Sequence, residues 1–274
     1  MDVVRRTSLA AVPEAEVNGI RLYYEEHGEG VPIACVHGGG SSAVMWGDAV
    51  EKLAGLGRVI SYDRRGCGRS ERPEPYERTM VTEQADDAAA LLDALDAAPA
   101  IVIGRSYGGA VAIDLALHHA DHVRALVLLE GDALGLSPAG LEWSRALLER
   151  MREVADRDGI EAVYKAVIDE VMGEGVWDSF PEEVQRLLTE NGPALLAELT
   201  YVDQEMPDAG AFATITVPAL LVAASDSPPE QRDMTERMAD VLPKSRLVRV
   251  GGGHLVDPAG AEVLDFVEEV VESG

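Results

Sequence analysis

Short apolar runs recur along the chain at 33–37 (IACVH), 58–63 (RVISYD), 100–105 (AIVIGR), 125–130 (ALVLLE), 218–225 (PALLVAAS) and 246–250 (RLVRV). They are rich in Val, Ile and Leu and lack polar alternation, the pattern of strands covered on both faces and placed in the middle of a sheet. Between them, 79–97, Ser106 to His119 and 259–273 carry apolar or Ala-rich stretches at helical spacing. Strands alternating with helices predict a mostly parallel central sheet flanked by helices, an α/β fold. Ahead of this pattern, Asn18-Gly19 sits between two β-prone runs, which predicts an opening antiparallel hairpin.

The rhythm breaks from about Leu136 to Phe212, where no strand-like run occurs and helical pattern is interrupted by Gly173, Gly175, Pro181 and Gly192-Pro193. This predicts a helical cap over 136–211, inserted after the sixth strand, with 1–135 and 212–274 forming the core. The insert carries Trp143, Tyr164, Trp177, Phe180 and Tyr201, enough aromatic surface either to glue cap helices together or to line an apolar pocket.

Composition narrows the function without naming it. A chain of 274 residues with 47% hydrophobic and 26% charged positions is that of a folded globular protein. Its 49 acidic against 23 basic residues give a formal net charge of −26, which repels phosphate backbones and anionic membranes. Nucleic acid and membrane partners are therefore not expected, while the charge itself says nothing of a substrate; a small-molecule substrate is expected from the motifs that follow. Cys35 and Cys67 stand in no metal-ligand or CxxC spacing, so neither a disulfide framework nor a metal site is expected. The first residues include two arginines but no apolar h-region follows, and no later stretch approaches a membrane span, so a soluble cytoplasmic protein is expected. Oligomeric state is not legible in these features.

Candidate chemistry begins at Gly104-Arg105-Ser106-Tyr107-Gly108-Gly109, between an apolar strand and a helix. A sharp strand-to-helix turn needs small residues two positions either side of the serine, and it raises the Ser106 hydroxyl beyond the sheet at a helix N-terminus. Serine needs a base to become a nucleophile. His254, in Gly251-Gly252-Gly253-His254 after the last strand, is the candidate; His27, His118, His119 and His122 sit where surface or capping roles fit. The base needs a carboxylate to hold its tautomer. Asp226 follows the strand PALLVAA and completes the order Ser, Asp, His, while Glu130 and Asp132, after the preceding strand, are alternates. His37-Gly38-Gly39-Gly40 follows the first parallel strand, where glycines let backbone N–H groups approach an oxyanion. Donors are expected from Gly39 or Gly40 and from Tyr107, with His37 bracing the loop. Arg105 has Glu130 and Asp132 as candidate partners.

These motifs in this order resemble the α/β-hydrolase superfamily, in its serine-nucleophile esterase, lactonase and perhydrolase-like branch, over most of the chain outside the insert. Asp63-Arg64-Arg65-Gly66-Cys67-Gly68-Arg69-Ser70 is similar to the D-x-R-G-x-G-x-S turn of that superfamily. The resemblance implies a structural turn, hence no catalytic role for Asp63, Arg64 or Cys67. It also sets aside the aspartate-nucleophile epoxide hydrolases and haloalkane dehalogenases, because the elbow holds Ser106. One departure bears on Asp226: Ala223 stands where relatives commonly have glycine. The expected function is hydrolysis of a small ester or lactone through an acyl-enzyme, with no metal or organic cofactor. The alternatives are a carbon–carbon bond hydrolase or cofactor-free perhydrolase on the same triad, or a non-catalytic small-molecule receptor.

Overall fold

The computed structural model describes residues 13–273. Eight strands form one sheet: β1 (Glu14–Val17), β2 (Ile20–His27), β3 (Pro32–Val36), β4 (Arg58–Tyr62), β5 (Ala100–Arg105), β6 (Val123–Leu129), β7 (Ala219–Ala224) and β8 (Ser245–Val250). Their spatial order is β1-β2-β4-β3-β5-β6-β7-β8. The β1–β2 and β2–β4 pairs are antiparallel and every later pair is parallel. The expected hairpin is present: Val17 pairs with Ile20, and the two turn residues Asn18 and Gly19 have φ of 47° and 76°. Both left-handed values are those a two-residue turn with the strands' twist requires.

Uninterrupted apolar runs serve the central strands because both faces are covered. Side chains alternate across a strand, so Val102, Leu126, Leu128 and Leu221 pack on one side while Ile101, Ile103, Val127, Leu129, Leu220 and Val222 pack on the other. On the first side lie α2 (Val81–Ala94), α3 (Tyr107–His118) and α10 (Pro229–Val241); on the second lie α1 (Ala49–Ala54) and α11 (Ala261–Glu272). Burying each large aliphatic side chain in these layers contributes about 1.5–3 kcal/mol. β8 differs from its expected central position: it is the sheet's edge, with Arg246 and Arg249 exposed. Charge on an outer strand blocks further strand pairing, and Arg246 and Arg249 supply it here.

Between β6 and β7 no strand occurs among the described residues, and loops join a series of helices: α4 (Pro138–Asp158), α5 (Val163–Met172), α6 (Val176–Ser179), α7 (Glu182–Glu190), α8 (Gly192–Leu199) and α9 (Ala209–Phe212), with short 3-10 turns. Pro138 opens α4, and the Ser137 hydroxyl accepts from the Gly140 N–H at 2.9 Å, satisfying one of the orphan donors of the first turn. Leu147, Met151, Val163, Tyr164, Ile168, Trp177, Leu188 and Leu195 form a cluster of their own among these helices. Among the described residues no helix is long and apolar enough to cross a membrane.

Candidate active site

The turn after β5 forces Ser106 to φ 49° and ψ −123°, a left-handed-side conformation that costs a residue with a Cβ energy and persists only where its surroundings impose it. Those surroundings are three glycines. A Cβ on Gly104 would lie 2.5 Å from the Gly108 carbonyl oxygen, one on Gly108 would collide with the carbonyls of Val36 and His37, and one on Gly109 would collide with Gly131. The Ser106 N–H donates to the Leu129 carbonyl at 3.2 Å, and its carbonyl accepts from Gly109 at 2.7 Å and Asp132 at 3.0 Å. The serine is thus clamped between β6 and the first turn of α3, at the positive end of that helix.

His254 lies four residues beyond β8, is 4% exposed, and lines the same cavity as Ser106. Among the described residues no hydrogen bond joins the serine hydroxyl to the imidazole; what places them together is the shared cavity wall. Catalytic hydrogen bonds of this kind commonly tighten only when substrate is bound.

The carboxylate on His254 is Glu130. Its Oε2 lies 2.8 Å from His254 Nδ1, which assigns the hydrogen to Nδ1 and leaves Nε2 as the free acceptor. Glu130 is fully buried and adopts φ 49° directly after β6, so its side chain turns toward β7 rather than continuing the strand. There it also accepts from the Ala224 N–H at 2.8 Å and from the Ser227 hydroxyl at 2.6 Å. Burial pushes its pKa up, but the hydrogen bond and charge of His254, with the Ser227 and Ala224 donors, outweigh burial and hold it below the ordinary glutamate value.

Asp226, expected as this carboxylate, is elsewhere. It is exposed, its N–H donates to the Gly252 carbonyl at 2.9 Å, and its Oδ1 accepts from the Ser225 hydroxyl at 2.8 Å. The loop after β7 presents Ser227, not Asp226, to the interior, and Ser227 serves Glu130. Asp132, the other alternate, accepts from Gln231 at 3.2 Å and from the Tyr201 hydroxyl at 2.9 Å; burial raises its pKa.

Of the expected oxyanion donors, Gly39 and Tyr107 line the cavity. Gly40 does not serve, because its N–H donates to Glu198 Oε2 at 2.7 Å. The tight fit there explains the glycine: Gly40 has φ 55°, and a Cβ would lie 2.5 Å from Leu195 Cβ and 2.9 Å from the Tyr164 ring. Tyr164 additionally donates its hydroxyl to the Gly39 carbonyl at 3.0 Å. The loop carrying the donors is therefore held from α5 and α8.

Sequence reasoning missed Glu198. It is 1% exposed and pairs with Arg64, also 1% exposed, at 2.7 Å. Arg64 in turn donates through Nε to the His37 carbonyl at 3.0 Å and through Nη2 to the Gly38 carbonyl at 2.8 Å, while its backbone N–H donates to His37 Nε2 at 2.9 Å. Burial and the Arg64 charge hold the His37 pKa well below its ordinary value, so His37 is a neutral brace, as expected. The signal for Glu198 in the sequence is a single acid in the apolar stretch GPALLAEL, which by itself names no partner. Asp63 is also structural: its carboxylate accepts from the Ala43 N–H at 2.7 Å and the Arg69 N–H at 2.8 Å.

The remaining histidines and both cysteines are outside the site. His118, His119 and His122 sit beside Asp114, Asp86 and Asp93 around the end of α3, and His27 lies beside Glu25. Cys35 and Cys67 are free and buried, and burial pushes both thiols up, Cys35 to about 12, so neither is a nucleophile near neutral pH. Arg105 pairs with neither Glu130 nor Asp132; its Nη2 donates to the Val256 carbonyl. The cavity has a volume of about 110 Å³ and its far wall is apolar, with Trp143, Leu147, Ile168, Met172, Phe180 and Leu188 from the helices between β6 and β7.

Comparison with known proteins identifies the family. The chain is 31% identical over 255 residues to a RutD protein of Azorhizobium caulinodans, named as a carbamate hydrolase, covering 88% of this chain and 91% of that one. It is 34% identical over 187 residues to a 2-hydroxymuconate semialdehyde hydrolase of Pseudomonas sp. (strain CF600), covering 61% and 65% of the two chains. Among solved structures, a thermophilic esterase from Thermogutta terrifontis superposes with a TM-score of 0.75 at 26% identity, over 96% of this chain and 97% of that one. With residues 33–266 matching the model of the alpha/beta hydrolase family, a span that holds the elbow, Glu130 and His254 together, the chain belongs to that family.

Proposed function

We propose that this protein is a serine hydrolase that cleaves a small ester or lactone through an acyl-enzyme, with Ser106 as nucleophile, His254 as base and Glu130 as the acid that orients it. The observation that carries the reading is the buried Glu130–His254 pair facing the cavity into which the strained Ser106 elbow opens. In the first half-reaction Ser106 Oγ attacks the carbonyl carbon while its proton passes to His254 Nε2. Glu130 stabilises the imidazolium, and the N–H groups of Gly39 and Tyr107 receive the oxyanion, each worth about 3 kcal/mol in the transition state. Collapse breaks the bond to the alcohol oxygen, which leaves with the proton from Nε2. Water then attacks the acyl-enzyme, giving its proton to Nε2; collapse of the second tetrahedral intermediate returns that proton to Ser106 and frees the acid. The helices between β6 and β7 serve as a cap, whose apolar wall favours a moderately apolar substrate.

A fluorophosphonate probe should label Ser106, and p-nitrophenyl esters or lactones should be turned over. Ser106→Ala should lose both while keeping its circular dichroism spectrum. Esterase activity retained in that variant would overturn the assignment. A folded wild-type protein that neither labels nor turns over any ester or lactone points to the receptor reading. The likeness to a 2-hydroxymuconate semialdehyde hydrolase supports a second reading, carbon–carbon bond hydrolysis by the same residues. A vinylogous diketone substrate, offered beside the esters, separates the two.

A further inference from the structure

Arg105 is a buried charge without a counter-ion. It is the residue before the nucleophile, is 9% exposed, and lines the cavity together with Ser106 and His254. The other two deeply buried arginines each hold a carboxylate directly: Arg64 meets Glu198 and Arg65 meets Asp87, both at 2.7 Å. Among the described residues no carboxylate stands within ion-pair distance of Arg105. Its Nη2 donates to the neutral Val256 carbonyl, and its buried Nε finds no acceptor. The Trp46 ring lies 5.6 Å from the guanidinium carbon, an apolar shelf rather than a neutralising group.

Nearby carboxylates are committed elsewhere. Glu130 is occupied by Ala224, Ser227 and His254; Glu198 by Arg64 and Gly40; Asp132 by Gln231 and Tyr201. Asp257 accepts from the Ala259 N–H, and its side chain is largely exposed beside Lys52. Burial draws the Arg105 pKa down to about 10, with Asp257, Cys35 and Glu130 opposing that only from a distance. The group therefore stays cationic at neutral pH in a place where a lone cation is costly. A chain with net charge −26 that keeps one uncompensated cation at its catalytic cavity is built to receive an anion there.

We propose that Arg105 is a specificity-determining residue that anchors a carboxylate carried by the substrate, so that the preferred substrates are small esters or lactones bearing a free carboxylate, such as half-esters of short dicarboxylic acids. This deepens the serine-hydrolase reading and rests on it. Guanidinium–carboxylate pairing is strong and directional, and it strengthens inside a water-poor pocket. Its position beside Ser106 lets it hold one end of a short chain while the other end reaches the nucleophile.

The test compares mono-p-nitrophenyl succinate, glutarate and adipate with neutral p-nitrophenyl esters of matching chain length, in wild type, Arg105→Gln and Arg105→Lys. The expected wild-type kcat/KM is at least tenfold higher for the best half-ester than for its neutral match. In Arg105→Gln that ratio falls at least tenfold, chiefly through KM, whereas Arg105→Lys keeps most of it. Free glutarate should also inhibit the wild type competitively, at least tenfold more strongly than glutaramide, a measurement that stands if the glutamine variant does not fold. A wild-type ratio of one or less, glutarate no better than glutaramide, or a variant that slows both ester types equally would overturn the anchor and make Arg105 a brace for the Val256 loop. Ser106 labelling without anionic preference defeats this inference alone; absence of both labelling and turnover defeats the serine-hydrolase reading with it.

Discussion

Glu130 and His254, 124 residues apart in the chain, meet at 2.8 Å inside a fully buried hydrogen-bond cluster that also takes in Ser227 and the backbone of Ala224. The carboxylate that meets His254 therefore comes from the end of β6, although another is present at the end of β7. That choice separates two substitutions that the sequence alone would rank the other way round.

Glu130→Gln should reduce kcat by about 10³–10⁴-fold, because an amide can offer the imidazole a donor and admit the wrong tautomer. Asp226→Asn, an exposed change outside the cavity, should leave kcat within about twofold, since surface substitutions of this kind are nearly neutral. Steady-state kinetics on one p-nitrophenyl ester decides it; equal losses in the two variants would contradict the assignment of the acid.

The same pair makes a pH prediction. Glu130 has a folded pKa below its ordinary value because His254, Ser227 and Ala224 outweigh the burial that would raise it. A carboxylate shifted down stabilises the fold above its unfolded pKa and loses that contribution as pH falls through the folded one. Urea midpoints measured near neutral pH and again at about pH 3, below the unfolded glutamate range, should show the wild type losing its advantage over Glu130→Gln in acid. An advantage that grows on acidification would reverse the sign and refute the linkage.

Breaking the Arg64–Glu198 pair should be costly. Glu198→Leu leaves a buried guanidinium unpaired and the Gly40 N–H without its acceptor, an expected loss of about 3–5 kcal/mol. Adding Arg64→Met removes the orphaned charge and should restore part of the stability. Denaturant unfolding of the two singles and the double measures the coupling; simple additivity would mean that the pair is not energetically linked.

Gly108→Ala tests the elbow. The new methyl would meet the carbonyls of Val36 and His37, and backbone there cannot yield without moving β3 and the loop that carries Gly39. A large drop in fluorophosphonate labelling rate at Ser106 is expected, with a lowered Tm. Unchanged labelling would show that the elbow tolerates bulk at this position.

Much of this protein was legible in its residue order. Asn18-Gly19 made the hairpin, the Val- and Leu-rich runs made the two-sided central strands, and Gly104 and Gly108 around Ser106 made the elbow, because each depends on backbone freedom or periodicity within a few neighbouring residues. The place of His254 on the cavity wall was legible for a similar reason, since it stands on a glycine loop just beyond a strand. Tertiary structure decided what depends on partners far apart in sequence. Glu130 outranks Asp226 because its left-handed backbone turns it onto donors from the loop after β7; Gly40 loses its N–H to Glu198; β8 takes the edge; and Arg105 is left without a carboxylate. Periodicity is a local property of the chain, whereas hydrogen-bond partnership and charge compensation are settled only when distant segments pack and exclude water.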